Sequence, residues 1–145
     1  MKLAALASLA NVVPKVAYEA RDRKVLLTEI LTASDALPLR TFDALRRISW
    51  PGENIARNTR QRLRLWESLA IEQSRLNLES VPKDTGLVVH PAGVVLTERR
   101  SSHLIEVVRL AEEGTPYVYL PLGRWAEETL EALHAEDAPS VAGAA

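Results

Sequence analysis

The first half of the chain is patterned for helices, because its apolar residues recur every three or four positions. Residues 3–12 are rich in Ala and Leu and predict a helix that ends near Pro14. Residues 21–34 carry apolar side chains at positions 26, 27, 30 and 31 and predict a second helix. Pro38 disfavours helix in the residue before it, so this second helix is expected to stop there.

Two further helices are expected before residue 80. Thr41 is a suitable N-cap for a short helix that ends at Ile48. A Pro-Gly turn follows at 49–54, after which Asn54 can cap a long helix over 55–77. The order of these elements predicts a helix-turn-helix over residues 24–72, with the long helix as its reader.

The second half of the chain changes to β-rich runs separated by helices. Two runs around a Pro-Gly turn predict a β-hairpin over 87–97, and Ser101 or Ser102 can cap the helix that follows. In that helix, Leu104, Val108 and Ala111 form the expected buried stripe, and Gly114 is the expected C-cap. A strand over 117–120 and an amphipathic helix over 124–136 complete the pattern.

The predicted fold class is therefore α+β, with a helical N-terminal half followed by a β-hairpin-α-β-α unit. We expect one compact domain made of a helical region, 1–80, and a small β-β-α-β-α unit, 86–136. Residues 137–145 are predicted to be a disordered tail. The strands at 94–97 and 117–120 are separated by a helix, which favours a parallel crossover.

Composition narrows the class of protein. The 145 residues are 47% hydrophobic but only 5% aromatic, so aliphatic side chains must fill the core. There is no cysteine, which excludes disulfides, thiolate catalysis and cysteine zinc sites, and which fits the expected cytoplasmic location. The first twenty residues favour an amphipathic helix over a signal peptide. No apolar run reaches the roughly 18 residues of a membrane span, so no membrane partner is expected.

A net charge of −1 conceals an uneven distribution of charge. Residues 40–75 contain eight arginines and four acidic residues, whereas residues 106–137 contain eight acidic residues and two arginines. Such a division predicts either a surface for a charged partner or two segments that pack against each other. The sequence leaves both interpretations open.

The basic segment supplies the candidate DNA-binding residues. Arginine can contact guanine or phosphate, and Asn or Gln can pair with adenine. One face of the long helix is expected to carry three of these arginines, Arg57, Arg60 and Arg64, because of their spacing. The remaining candidates are expected on the DNA backbone or near the groove. The full predicted set is Arg46, Arg47, Arg57, Asn58, Arg60, Gln61, Arg62, Arg64, Arg99 and Arg100.

The turn between the hairpin and the next helix carries Glu98, Arg99 and Arg100, and it is a second candidate anion site. Over residues 93–120, "GVVLTERRSSHLIEVVRLAEEGTPYVYL" resembles the ParB/sulfiredoxin-like fold, in which a strand ending in Gly-Glu-Arg-Arg leads into a helix. The resemblance implies that these three residues bind nucleotide phosphates. Thr97 stands where that family has glycine, which makes close approach of a phosphate to the backbone less easy.

No catalytic motif was found in the sequence, so a non-enzymatic protein is expected. His103 and Glu106 are one helical turn apart, but the three histidines lack metal-site spacing, and neither a metal nor a cofactor is predicted. The leading hypothesis is a small DNA-binding protein, such as a regulator, that dimerises through its final helix. The alternatives are a protein-interaction module acting on a larger complex, with Trp50 on its partner surface, and a nucleotide-binding protein.

Overall fold

The computed structural model describes residues 1–53 and 63–137. Three helices form its N-terminal part: α1 (Leu3–Leu9), α2 (Pro14–Asp22) and α3 (Ala36–Leu45). α1 is followed by Asn11, which has a left-handed φ of 55°. Pro14 begins α2 instead of ending the first helix, because its fixed φ and missing N–H suit the first helical position.

The helix predicted over 21–34 is wrong. α2 ends at Asp22, and Lys24 takes a left-handed φ of 61°. The Val25 N–H then donates to the Ala20 carbonyl at 2.9 Å, which is the bond of a Schellman-type helix end. Residues 23–32 are irregular, so the first helix of the predicted helix-turn-helix is not present there.

α3 also begins earlier than the sequence suggested. It starts at Ala36, after a 3-10 turn in which the Thr32 N–H donates to the Asp35 carboxylate at 2.8 Å. Pro38 is the third residue of the helix, where a backbone N–H has no helical partner, so the proline is tolerated. Thr41 is therefore buried inside α3, and its predicted role as an N-cap is wrong.

The fourth helix, α4, spans Leu65–Gln73. Arg64 precedes it with extended backbone angles (φ −68°, ψ 153°), so the predicted continuous helix over 55–77 is wrong at this point. Its first part, with the Asn54 cap, lies outside the described residues. The remaining α-helices of the described residues are α5 (Arg100–Glu112) and α6 (Leu122–Asp137).

A three-stranded antiparallel sheet carries the predicted hairpin. Its strands are β1 (Gly86–His90), β2 (Gly93–Thr97) and β3 (Val118–Leu120), in the order β2-β1-β3. β1 is antiparallel to both neighbours, so β2 and β3 run parallel to each other, as predicted, with β1 between them. The α+β class and the helical N-terminal half are confirmed.

Capping of α5 is only partly as expected. Arg99 occupies the N-cap position without a side-chain cap bond, so neither Ser101 nor Ser102 caps the helix. Gly114 follows the helix with a left-handed φ of 69°, as predicted. α6 extends through Asp137, and the predicted disordered tail otherwise lies outside the described residues.

The core has two parts that share α3 and α4. Leu39, Phe42 and Ile71 pack with α1 and α2, whereas Leu37 and Leu45 pack with the sheet and α6. One face of the sheet contributes Leu87 and Val89 to this second part; the opposite face carries Val88 and Tyr119, paired across β1 and β3. α5 packs on that opposite face, where the His103 ring stacks on Tyr119 with centroids 3.9 Å apart.

None of the helices in residues 1–53 and 63–137 has the length and apolar character needed to cross a membrane.

Candidate functional site

The predicted DNA-binding residues fall into three groups. Arg47, Arg99 and Arg100 are exposed. Arg46 and Arg64 are only partly exposed and are engaged within the protein. The other five lie outside the described residues: Arg57, Asn58, Arg60, Gln61 and Arg62.

Arg64 joins the end of α3 to the start of α4. Its Nη2 donates to the Leu45 carbonyl at 3.0 Å, and its Nη1 donates to the Ile48 carbonyl. The guanidinium is 3.5 Å from carboxylate oxygens of both Glu53 and Glu67, and the side chain is only 13% exposed. Its donors therefore satisfy acceptors of the protein itself, whereas the prediction placed this side chain towards the DNA groove.

Trp50 is buried, so the exposed partner anchor expected at this position is not there. The side chain is 7% exposed, and its ring centroid is 5.1 Å from that of Trp66. Glu53 fixes both residues: it accepts from the Trp50 backbone N–H at 2.9 Å and from Trp66 Nε1 at 3.2 Å. Trp50 therefore packs over the start of α4 as part of the core.

The uneven charge distribution is partly internal to the fold. Arg40, from the basic segment, donates to Glu128, from the acidic segment, at 2.7 Å, and lies 4.8 Å from the Trp125 ring centroid. The hydrogen bond from Arg40 lowers the pKa of Glu128. Arg46 is 3.2 Å from Glu19, which lies in α2 and outside the acidic segment. The Arg40 contact supports the interpretation that the two oppositely charged segments pack together.

The turn before α5 borders a cavity of about 540 Å³. Arg100 lies on its wall, whereas Glu98 and Arg99 are exposed and do not line it. The wall also contains two further cations, two carboxylates, and apolar or neutral polar groups. Its residues are Lys83, Asp84, Thr85, Arg100, His103, Tyr119, Pro121, Arg124 and Glu127.

Two polar atoms of this wall have no hydrogen-bond partner within residues 1–53 and 63–137. They are the hydroxyl oxygen of Thr85, a residue 2% exposed, and Nδ1 of His103. Burial raises the pKa of the neighbouring Tyr119, and the negative charge of Asp84 adds to that effect. Unsatisfied buried groups beside a polar cavity are favourable places for a ligand or an ordered water.

Glu106, one helical turn from His103, accepts a hydrogen bond from Arg109, and this bond lowers the pKa of the Glu106 carboxyl. Across the described residues, no group of three or more potential ligands is arranged to hold a metal ion.

The outer face of α5 also departs from the sequence prediction. Leu104, Ile105 and Val108 are 53%, 71% and 52% exposed, and Ala111 is exposed as well. The predicted buried stripe therefore faces solvent, while Leu110 is buried. We call these four exposed residues (104, 105, 108 and 111) the α5 outer face.

The sequence pattern did not predict this exposed surface, because α5 carries apolar residues on two sides. His103, Val107 and Leu110 recur at the same helical spacing as the predicted stripe, and they face the sheet. For a helix with apolar residues on both sides, periodicity alone does not identify the buried face. Comparison of the chain with known protein families, curated proteins and solved structures found no significant match.

Proposed function

We propose that this protein is a non-enzymatic interaction module that binds a helix of a protein partner through the α5 outer face. The observation that carries the proposal is the exposure of Leu104, Ile105 and Val108 side by side on one helix. Contiguous exposed apolar side chains are characteristic of interaction surfaces, whereas single ones are not. A helix with an apolar stripe is the simplest complement to such a surface.

A photo-crosslinking amino acid at position 105 tests the proposal in the native cell. We expect a covalent protein adduct that is lost when Leu104 and Val108 are both replaced by Lys. Ile30 is the matched control, because it is 80% exposed but lies in the irregular segment before α3. No adduct at position 105, or equal adducts at both positions, would contradict the proposal.

A second candidate function is the binding of a phosphate-type anion in the cavity beside α5. Lys83, Arg100 and Arg124 bring three cations to one wall, and the Thr85 hydroxyl there lacks a partner among the described residues. Pyrophosphate is a suitable probe, since two phosphates can engage separated cations. We expect it to raise the melting temperature, and we expect Arg100→Gln, but not Arg99→Gln, to remove the rise. The absence of any rise in the parent protein excludes this function.

DNA binding stays a proposal, supported among the described residues by the exposed Arg47, Arg99 and Arg100. Binding through phosphates should weaken steeply with salt. The informative variant combines Arg47→Gln with Arg99→Gln, because neither residue has an ion pair within the described part of the chain. Mixed-sequence duplex DNA that fails to bind at low salt, or that binds this variant equally well, contradicts the proposal.

A further inference from the structure

We infer that the partner of the α5 outer face is a second copy of this chain, whose α5 lies antiparallel to the first across a twofold axis. This inference rests on the proposed function, and it names the partner.

The charges at the two ends of α5 favour an antiparallel pair of these helices. Arg99 and Arg100 are at its N-terminal end, and Glu112 and Glu113 are at its C-terminal end. A helix carries partial positive charge at its N-terminus and partial negative charge at its C-terminus. Both pairs are therefore unfavourably placed in the monomer, since acidic residues belong at the first turn and basic residues at the last.

A second, antiparallel α5 reverses this disadvantage. It places the partner's acidic, negative helix end beside Arg100, and the partner's basic, positive helix end beside Glu112. Arg109 is already bound to Glu106 and Glu113. Arg100 and Glu112, by contrast, are exposed and make no ion pair within residues 1–53 and 63–137, so both are free to pair between chains.

The register of the residues on α5 also favours an antiparallel pair. Arg100 and Glu112 are each six positions from Glu106, and Leu104 and Val108 are each two positions from it. One antiparallel alignment centred at that level therefore places Arg100 opposite Glu112 and Leu104 opposite Val108. Twofold symmetry repeats each pair, which is the self-complementarity that an isologous interface requires.

Glu106 does not obstruct this arrangement. Its side chain is 15% exposed and pairs with Arg109, away from the α5 outer face. The final helix, which was expected to provide a dimer surface, is less suitable, because Leu122, Trp125 and Ala126 of α6 are buried in the core. A single helix face buries little area, so we expect a dimer that dissociates on dilution.

Charge reversal tests the register directly in the purified full-length protein. Sedimentation equilibrium from micromolar to submillimolar concentration measures the dimer dissociation constant. Arg100→Glu and Glu112→Arg should each raise it by roughly tenfold, because both symmetry-related pairs become like-charged. The double variant restores opposite charges and should return the constant to within about twofold of the parent value. Glu131→Arg, on the exposed surface of α6, is the control.

Each reversal also suits the dipole of its own helix, so a weaker dimer cannot be explained by a melted α5. Circular dichroism of the single variants should confirm this. Leu104→Lys should leave the protein monomeric and folded, since the side chain is half exposed in the monomer.

The crosslinking experiment at position 105 distinguishes failure of the dimer inference from failure of the proposed function. An adduct near twice 16.0 kDa supports the second copy as partner. An adduct only with a different protein overturns this inference but leaves the proposed function intact, whereas no adduct at all contradicts both. A dimer that is insensitive to Leu104→Lys and to both charge reversals also overturns the inference, because it must form through another surface.

Discussion

Arg40 Nη1 donates to Glu128 Oε2 at 2.7 Å, which joins α3 to α6 across 88 positions of sequence. The same guanidinium lies 4.8 Å from the centroid of the Trp125 ring. One arginine of the basic segment is thus bound at once to a carboxylate of the acidic segment and to an aromatic ring of the core.

This contact predicts a pH-dependent contribution to stability. The hydrogen bond from Arg40 lowers the pKa of Glu128 below its ordinary value of 4.5. The contribution is therefore complete above that value and is lost as the pH falls through the lowered pKa. Because Glu128 is 41% exposed, Glu128→Gln should reduce the free energy of unfolding at pH 7 by no more than about 1 kcal/mol.

Urea denaturation at pH 7 and at progressively lower pH measures this effect. The difference between Glu128→Gln and the parent should shrink as the pH falls below 4.5. Glu131→Gln, on the same helix but without an ion pair in the described residues, should differ little from the parent at any pH. A difference that persists in acid contradicts the assigned cause.

Arg64 should behave as a structural residue. Arg64→Ala removes the donors to Leu45 and Ile48 and leaves Glu67, which is 2% exposed, as an unpaired buried carboxylate. Loss of one partner of a buried charge is expected to cost about 3 to 5 kcal/mol. Arg64→Lys should recover only part of this, because an ammonium cannot reproduce the guanidinium fork.

Thermal or chemical denaturation checks this prediction, with the exposed Arg47→Ala as the matched arginine control. If Arg64→Ala is as stable as Arg47→Ala, the contacts at the start of α4 are not important for the fold. The result also affects the DNA hypothesis, because loss of binding in an unfolded Arg64 variant says nothing about contact with DNA.

The second half of the fold was predictable because its signals are local. Two runs rich in β-branched residues on either side of Pro91 specify the hairpin, and Gly114 supplies the left-handed residue that ends α5. The N-terminal boundaries were not predictable in the same way. Pro38 was interpreted as a helix stop, although in the first turn of α3 a proline costs no hydrogen bond.

The candidate site was harder to predict, because tertiary packing decides which residues remain exposed. Trp50 and Arg64 are polar or amphipathic residues beside a turn, a context typical of surfaces. Trp50 nevertheless packs on Trp66, and Arg64 donates to the Leu45 carbonyl. Leu104 and Val108 have the spacing of a buried stripe, yet they face solvent because the other side of α5 packs on the sheet. Periodicity identifies a helix face but not its partner.

Replacement of Gly123 by alanine should destabilise the protein, although Gly123 lies in a helix. Alanine is favoured over glycine in helices by up to about 1 kcal/mol. A Cβ at Gly123, however, would lie 2.2 Å from the Lys83 carbonyl oxygen and 2.5 Å from that of Pro82. Gly123→Ala must therefore separate α6 from the loop that precedes β1, and we expect a net loss of about 1 to 3 kcal/mol.

Denaturation of Gly123→Ala alongside Gly93→Ala tests this. At Gly93 an added Cβ meets only the His90 ring, at 3.7 Å, which is an ordinary contact. A Gly123→Ala protein that is more stable than the parent would show that helix propensity outweighs the close approach at this position.

The substitution Trp50→Ala tests whether Trp50 is a core residue or an anchor for a partner. With 7% of its surface exposed and its ring against Trp66, Trp50→Ala should reduce the free energy of unfolding by about 3 to 5 kcal/mol. Leu65→Ala provides the control, because Leu65 is 78% exposed and should change stability by less than about 0.5 kcal/mol. Urea denaturation followed by circular dichroism measures both variants independently of tryptophan fluorescence. A Trp50→Ala protein of parental stability that has lost a partner would instead restore Trp50 to the interaction surface, since an anchor contributes to binding without supporting the fold.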